Sequence, residues 1–180
     1  MNIENYDREL KKLVRELCLI PAPSGMEDRR ADFCKKWLCD IGADGVYIDE
    51  AKNVVYPMNC AGNELTVIMA HTDTVFPDTE PMPYYEDEEN IYCPGVGDDT
   101  AGVAILLMSI KYLIDNKIVP GRGIIFVLNS CEEGLGNLKG SRQIMKDFEG
   151  RIKEFYTYDG RFDAVVNKSV GSHRYKVTVK

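Results

Sequence analysis

The sequence predicts an α/β fold in which a mostly parallel sheet carries helices on both faces. Short apolar runs rich in β-branched residues alternate along the chain with segments whose apolar residues recur at helical spacing. Several of these runs end in a histidine or an acidic cluster. Open α/β sheets bind ligands just beyond the carboxyl ends of their strands, so the same pattern also predicts where a functional site lies.

Two amphipathic helices and a hairpin are predicted before the first long strand. The first helix is marked by apolar residues at helical spacing, Leu10, Leu13, Val14 and Leu17. The second is marked in the same way by Cys34, Trp37, Leu38 and Ile41. Between them, Ser24 and Glu27 have the spacing of a capping box for the second helix. Apolar runs at 46–48 and 54–56 predict a hairpin.

The remainder of the chain alternates strands with helices. An apolar run at 65–70 leads through His71 into a long loop at 76–92, whose acidic stretch is typical of a solvated turn. After this loop the predicted elements are a helix from 99 to 116, a strand at 123–128, a helix at 138–148 and a strand at 155–158. Alternation at this spacing indicates parallel pairing with helical crossovers.

Two adjacent carboxylates, Asp98 and Asp99, stand where a glycine-rich loop becomes a helix. Asp is a favoured N-cap, so Asp99 has a structural explanation as the cap of this helix. Capping leaves Asp98 unexplained. Polar residues also follow the neighbouring strands, namely His71, Asp73, Glu132, Glu133 and Asp159. The fold brings these strand ends to one edge of the sheet, where one imidazole and several carboxylates form a plausible shell for zinc.

Structural alternatives exist for parts of this set. Asp73 is also explained as a turn-forming residue at a strand end, and Glu132 with Glu133 as a solvated surface loop. The metal interpretation rests on the convergence of the strand ends. An aspartate that bridges two ions would make it a two-metal site.

Composition and charge exclude several classes of function. The 180 residues predict one domain, and 44% hydrophobic with 28% charged residues is ordinary for a globular protein. A net charge of −7 without a basic run argues against nucleic-acid binding. The apolar stretches are too short for a membrane span, and the first residues do not match a secretory signal. Six cysteines without a CxxC pair are typical of reduced thiols, so we expect a cytoplasmic protein.

Four motifs occur in a fixed order: His-Thr-Asp at 71–73, Gly-Asp-Asp-Thr-Ala-Gly at 97–102, Glu-Glu-Gly at 132–134 and Asp-Gly at 159–160. Together they resemble the dizinc exopeptidase family, which includes peptidase T, aminoacylase, acetylornithine deacetylase and succinyl-diaminopimelate desuccinylase. The resemblance extends from the first helix to about Tyr175. It is closer to peptidase T than to the deacetylases, although Thr100 replaces the lysine often found after the paired aspartates.

This resemblance implies a zinc-dependent metallopeptidase that hydrolyses the amide bond of short peptides or acyl-amino acids. It implies that one zinc is held by His71, Asp98 and Asp159, and that Asp98 bridges to a second zinc held by Glu133. Asp73 would hydrogen-bond the far nitrogen of the histidine ring. Glu132 would act as general base on a metal-activated water and later protonate the leaving amine. A cis peptide bond between Asp98 and Asp99 is also implied.

The resemblance further implies a chain about twice this long, with a late histidine ligand that His173 does not match in position. We expect a catalytic zinc-binding domain at 1–166, followed at 167–180 by the start of a lid and dimerisation domain. Tyr175, Val177 and Val179 alternate like the first strand of that lid. One tight zinc is therefore expected instead of two.

Two functions of different class follow. The first is the peptidase or amidohydrolase described above. The second is a truncated, inactive fragment that folds, binds zinc weakly or singly, and associates with itself or with a complementing C-terminal part. Apolar surface and an open sheet edge would favour such association.

Overall fold

Helices and strands alternate along the chain in the computed structural model, which describes residues 3–160, 163–171, 175 and 177–179. The helices are α1 (Ile3–Cys18), α2 (Asp28–Asp40), α3 (Ala101–Asp115) and α4 (Lys139–Asp147). The strands are β1 (Tyr47–Ile48), β2 (Val54–Met58), β3 (Leu65–His71), β4 (Tyr85–Glu86), β5 (Ile91–Tyr92), β6 (Gly123–Asn129) and β7 (Ile152–Tyr158). The predicted order of helices and strands is confirmed, and α3 begins two residues later than predicted.

Five of the strands form one sheet in the order β1-β2-β6-β3-β7. Strand β3 pairs in parallel with both β6 and β7, whereas β2 is antiparallel to β1 and to β6. Four strands therefore run in one direction and β2 alone runs against them. This is the mostly parallel sheet that the sequence predicts, with the predicted hairpin at one edge.

Apolar side chains pack on both faces of the sheet because alternate residues of the central strands point to opposite sides. In β6, Phe126 belongs to a large core shared with α1, α2 and α3. Its neighbour Ile125 belongs to a smaller core on the other face, against Ile144 of α4. Helices thus cover both faces, as predicted. In the part of the chain that the structure describes, no helix is both long and apolar enough to cross a bilayer.

The long loop before α3 contains a small hairpin that the sequence analysis did not predict. Strands β4 and β5 pair there, and the acidic stretch forms the turn between them. The Asp87 carboxylate accepts the main-chain N–H groups of Glu89 (2.9 Å) and Asn90 (2.8 Å), which is a local turn interaction and agrees with the predicted role of this stretch. At the end of the chain, the described residues 175 and 177–179 lie outside any strand, and His173 lies outside the described residues.

Candidate metal site

His71 is the last residue of β3, and its buried ring makes two polar contacts. Nδ1 lies 3.0 Å from the main-chain oxygen of Asp73, which can only accept, so this nitrogen carries a proton. Nε2 lies 2.9 Å from Oδ1 of Asp98. The contact expected between Asp73 and the imidazole is therefore made to Nδ1 by the main-chain oxygen of Asp73. The Asp73 carboxylate lies 3.6 Å from the same nitrogen.

Asp98 and Asp99 lie in a wide turn, Val96–Thr100, that leads into α3, and the peptide bond between them is cis, as expected. Their side chains have different environments. Asp98 is 61% exposed beside the imidazole, whereas Asp99 is buried and its Oδ2 accepts the main-chain N–H of His71 at 3.0 Å. Helix α3 has no side-chain cap. The prediction of Asp99 as an N-cap is therefore wrong, because its carboxylate bonds to the end of β3 instead.

Space for the buried Asp99 carboxylate is provided by Gly102 in the first turn of α3. A Cβ atom at this position would collide with all three atoms of the carboxylate group. Gly102, the last residue of the Gly-Asp-Asp-Thr-Ala-Gly motif, is therefore required by close packing and not by an unusual backbone conformation.

Glu132 and Glu133 follow β6 in a loop whose backbone is held by the Asp73 carboxylate. The N–H of Glu132 donates to Asp73 Oδ1 and that of Glu133 to Asp73 Oδ2, each at 3.0 Å. Oδ2 also accepts a hydrogen bond from Ser24 Oγ at 2.6 Å. Asp73 therefore joins the end of β3 to the loop after β6, and the surface-loop explanation of the two glutamates does not describe these contacts.

The ligand-type side chains converge in two groups that share the imidazole. One group is His71, Asp98 and Glu133, and the other is His71, Glu132 and Asp159. Within each group the ligand atoms lie no more than 4.8 Å from one another. All the predicted ligands therefore meet at the sheet edge. Their grouping differs from the one implied by the resemblance, because Glu133, and not Asp159, joins His71 and Asp98.

The electrostatics of the site are dominated by an excess of carboxylates over cations. Burial opposes protonation of His71, but contact with Asp73 and the charge of Asp99 raise its pKa to about 10. Burial raises the pKa of Asp99 to about 7. Burial also raises the pKa of Glu132, and burial together with the charge of Asp98 raises that of Glu133. One imidazole among crowded carboxylates is a donor set that suits a divalent cation such as zinc.

Asp73 differs from its neighbours in the direction of its pKa shift. Burial favours its neutral form, but contacts from His71 and Ser24 and two backbone N–H groups lower its pKa. Its oxygens are occupied by these donors, so it supports other residues and is not a member of either ligand group.

The turn before α2 contains two residues whose function the sequence analysis missed. Ser24 bonds to Asp73, and Glu27 Oε1 accepts the N–H of Cys131 at 3.1 Å. Helix α2 has no side-chain cap at this end, so the predicted capping box is wrong. Ser24 and Glu27 have the spacing of a capping box, but both side chains bond to distant loops of the site.

Arg30 is a further buried support that sequence reasoning missed. Its guanidinium donates to the main-chain oxygen of Thr72 at 2.9 Å and to Thr100 Oγ1 at 3.3 Å, as well as to carbonyl groups at the end of α1. Burial lowers the pKa of this arginine. The side chain thus connects the segment after β3 with the turn that carries Asp98.

An imidazole and several carboxylates gathered at the carboxyl ends of parallel strands form a candidate metal site on an α/β domain. The chain belongs to peptidase family M20/M25/M40, because the sequence model of that family matches residues 67–179. This agrees with the resemblance stated from the four motifs.

Three relatives illustrate the similarity. Carboxypeptidase G2 of Pseudomonas sp. (strain RS-16) is 29% identical over 105 residues, which cover 57% of this chain and 25% of that protein. A tripeptidase structure from Staphylococcus aureus is 23% identical with a TM-score of 0.66, covering 85% of this chain and 43% of the other. A Bacillus subtilis structure described as a dinuclear metal-binding peptidase of the M20 family is 14% identical with a TM-score of 0.63, covering 89% and 45%. The chain thus spans less than half the length of each relative.

Proposed function

We propose that this chain carries the cation-binding and proton-transfer groups of a zinc-dependent metallopeptidase acting on short peptides or acyl-amino acids. The observation that supports it is the convergence of His71 with Asp98 and Glu133 at the end of the sheet. Membership of a peptidase family supports the reaction class. The tripeptidase and dinuclear peptidase folds support a peptide substrate and a metal centre.

We assign the tight zinc to His71, Asp98 and Glu133, since their ligand atoms form one group. Asp159 belongs to the other group around His71 and would be a further ligand, and Asp98 would be the residue shared with a second ion. A bound zinc ion polarises an amide carbonyl and makes a water molecule more acidic. Asp73 is a positioning residue here, because it holds the imidazole and the two glutamate amides.

Glu132 is the proposed general base. It is half-buried beside the imidazole, and burial raises its pKa, which makes the carboxylate a stronger base for accepting and returning a proton. It takes a proton as water oxygen attacks the carbonyl carbon, and gives it to the amine nitrogen as the C–N bond breaks.

The domain assignment and the setting are also proposals. We place the catalytic domain at 1–166 and the start of a lid and dimerisation domain at 167–180. All six cysteines are free thiols, which supports a cytoplasmic setting.

The second candidate function is that of an inactive fragment that binds zinc and associates with itself or with a complementing C-terminal part. The favouring observation is β7, an edge strand whose Phe155 and Tyr156 are 39% and 55% exposed. Apolar side chains along an unpaired sheet edge favour association.

Zinc content and hydrolysis of a di- and tripeptide panel separate the two functions. We expect about one zinc per chain after dialysis, because both ligand groups depend on the single imidazole of His71. Glu132→Gln should retain zinc and lose hydrolysis. Zinc binding without turnover in the wild type would favour the fragment, and no zinc binding would contradict both functions.

A further inference from the structure

We propose that Glu27 is a positioning residue that fixes the Glu132–Glu133 pair in the metal site. The inference rests on the proposed function, because the pair is assigned there as base and ligand. Glu27 lies at the start of α2, far from the loop in sequence, and has no place in the ligand groups.

The Glu27 carboxylate is completely buried and is held by main-chain donors. Its Oε1 accepts the N–H of Gly25 at 2.6 Å and the N–H of Cys131 at 3.1 Å, and the Cys131 thiol lies 3.4 Å away. Its other oxygen, Oε2, is buried without a hydrogen-bond partner among the described residues, so the donors to Oε1 must offset the cost of burying the carboxylate. If Glu27 served only to begin α2, its carboxylate could be solvated instead, and burial against the loop after β6 would not be needed.

Three consecutive amides of the loop donate to two buried carboxylates. Cys131 donates to Glu27, and the next two amides, of Glu132 and Glu133, donate to Asp73. Cys131 also has a φ of 53°, in the left-handed region that non-glycine residues seldom adopt. Glu27 accepts the N–H of this residue, and in our proposal this bond sets the direction of the two side chains that follow.

The turn that carries Glu27 is itself fixed. The N–H of Thr74 donates to the carbonyl of Ala22 at 2.9 Å. Lys52 Nζ, from the β1–β2 hairpin, donates to the Gly25 carbonyl at 2.8 Å and pairs with Asp28 at 2.6 Å. These contacts hold the turn that carries Glu27 in place. The length of the Glu27 side chain therefore determines where the loop lies more than its charge does.

Two variants separate reach from charge. Glu27→Asp keeps the charge and withdraws the carboxylate by one methylene, whereas Glu27→Gln keeps the reach and an acceptor oxygen. We expect Glu27→Asp to weaken zinc binding about tenfold, the effect typical of losing a support behind a metal ligand. Glu27→Gln should stay close to the wild type. The control is Asp32→Asn, which removes an exposed carboxylate elsewhere on α2 and should leave zinc affinity unchanged.

Zinc affinity is measured by competition with a chromophoric chelator, at a temperature where circular dichroism shows every variant folded. If Glu27 acts through Glu133, the Glu27→Asp effect should vanish in a Glu133→Ala background, because the two changes remove the same interaction. Wild-type affinity in Glu27→Asp, a larger loss in Glu27→Gln, or losses that multiply in the double variant would each overturn this role. A wild-type chain that binds no zinc would overturn the proposed function, and this inference with it.

Discussion

The two halves of the candidate site are built differently. In the half that includes the loop after β6, Asp73 and Glu27 are completely buried and bond to the backbone of residues 131–133 in that loop. Next to β7, Asp159 is exposed and follows a strand whose side chains are mostly exposed. Asp98, on the turn before α3, is also largely exposed.

This difference separates residues that support the fold from residues that only supply ligand atoms. Removing a buried acceptor leaves its donors unsatisfied. After an exposed carboxylate is removed, its donors can still form hydrogen bonds to water. Truncating a carboxylate to alanine should therefore lower the free energy of unfolding in the buried half. In the exposed half it should weaken metal binding alone.

The largest effect is expected for Asp73→Ala. The amides of Glu132 and Glu133 and the Ser24 hydroxyl would lose their acceptor, so we expect a loss of about 3 kcal/mol in the free energy of unfolding. Asp159→Ala, an equal truncation in the exposed half, should change it by less than about 0.5 kcal/mol. Urea denaturation in the presence of a chelator measures both. Equal losses in the two variants would remove the distinction between the halves.

A pH-dependent effect is expected from His71 in the metal-free protein. Its pKa in the folded chain is raised from 6.5 to about 10, so the protonated ring stabilises the folded state. This contribution is complete below about pH 6.5 and is lost as the pH rises from there to about 10. The stability difference between wild type and His71→Gln should shrink over this window.

The two proteins share every other titrating group, so the difference reports the imidazole together with its effect on the carboxylates of Asp73, Asp99 and Glu132. Chelator is present throughout, because bound metal would replace the proton. A difference that stays flat, or that grows with pH, would show that the neighbouring carboxylates do not hold a charged His71.

The fold and the convergence of the candidate ligand residues were predictable because they follow from local patterns. Strand ends are visible as apolar runs, and the fold rule places them at one edge, so His71 and Glu133 needed no long-range information. The roles of Glu27 and Asp99 did not follow in this way. Both occur at helix starts, where capping explains an acidic residue equally well, and only the tertiary structure shows that their oxygens bond to distant backbone groups.

The grouping of ligands was also beyond the sequence. Asp159 and Glu133 follow strands on either side of β3, so both are near His71 by topology alone. Which of them joins Asp98 depends on the conformation of the loop after β6, where Cys131 has a left-handed backbone. No periodic pattern encodes that conformation.

The smallest effect on stability is expected at the exposed edge. Tyr156 in β7 is 55% exposed, and a charge there should change the free energy of unfolding by less than about 0.5 kcal/mol. If the exposed β7 surface drives self-association, Tyr156→Lys should shift the chain toward monomer, since lysine on an edge strand opposes pairing with another chain. Sedimentation velocity over a range of concentrations measures this shift. As a matched control, Tyr85→Lys replaces a tyrosine of similar exposure on the β4–β5 hairpin and should leave association unchanged. A chain that associates equally in both variants would place the contact elsewhere than β7, and the exposed half of the site would then be open to solvent in the assembled protein too.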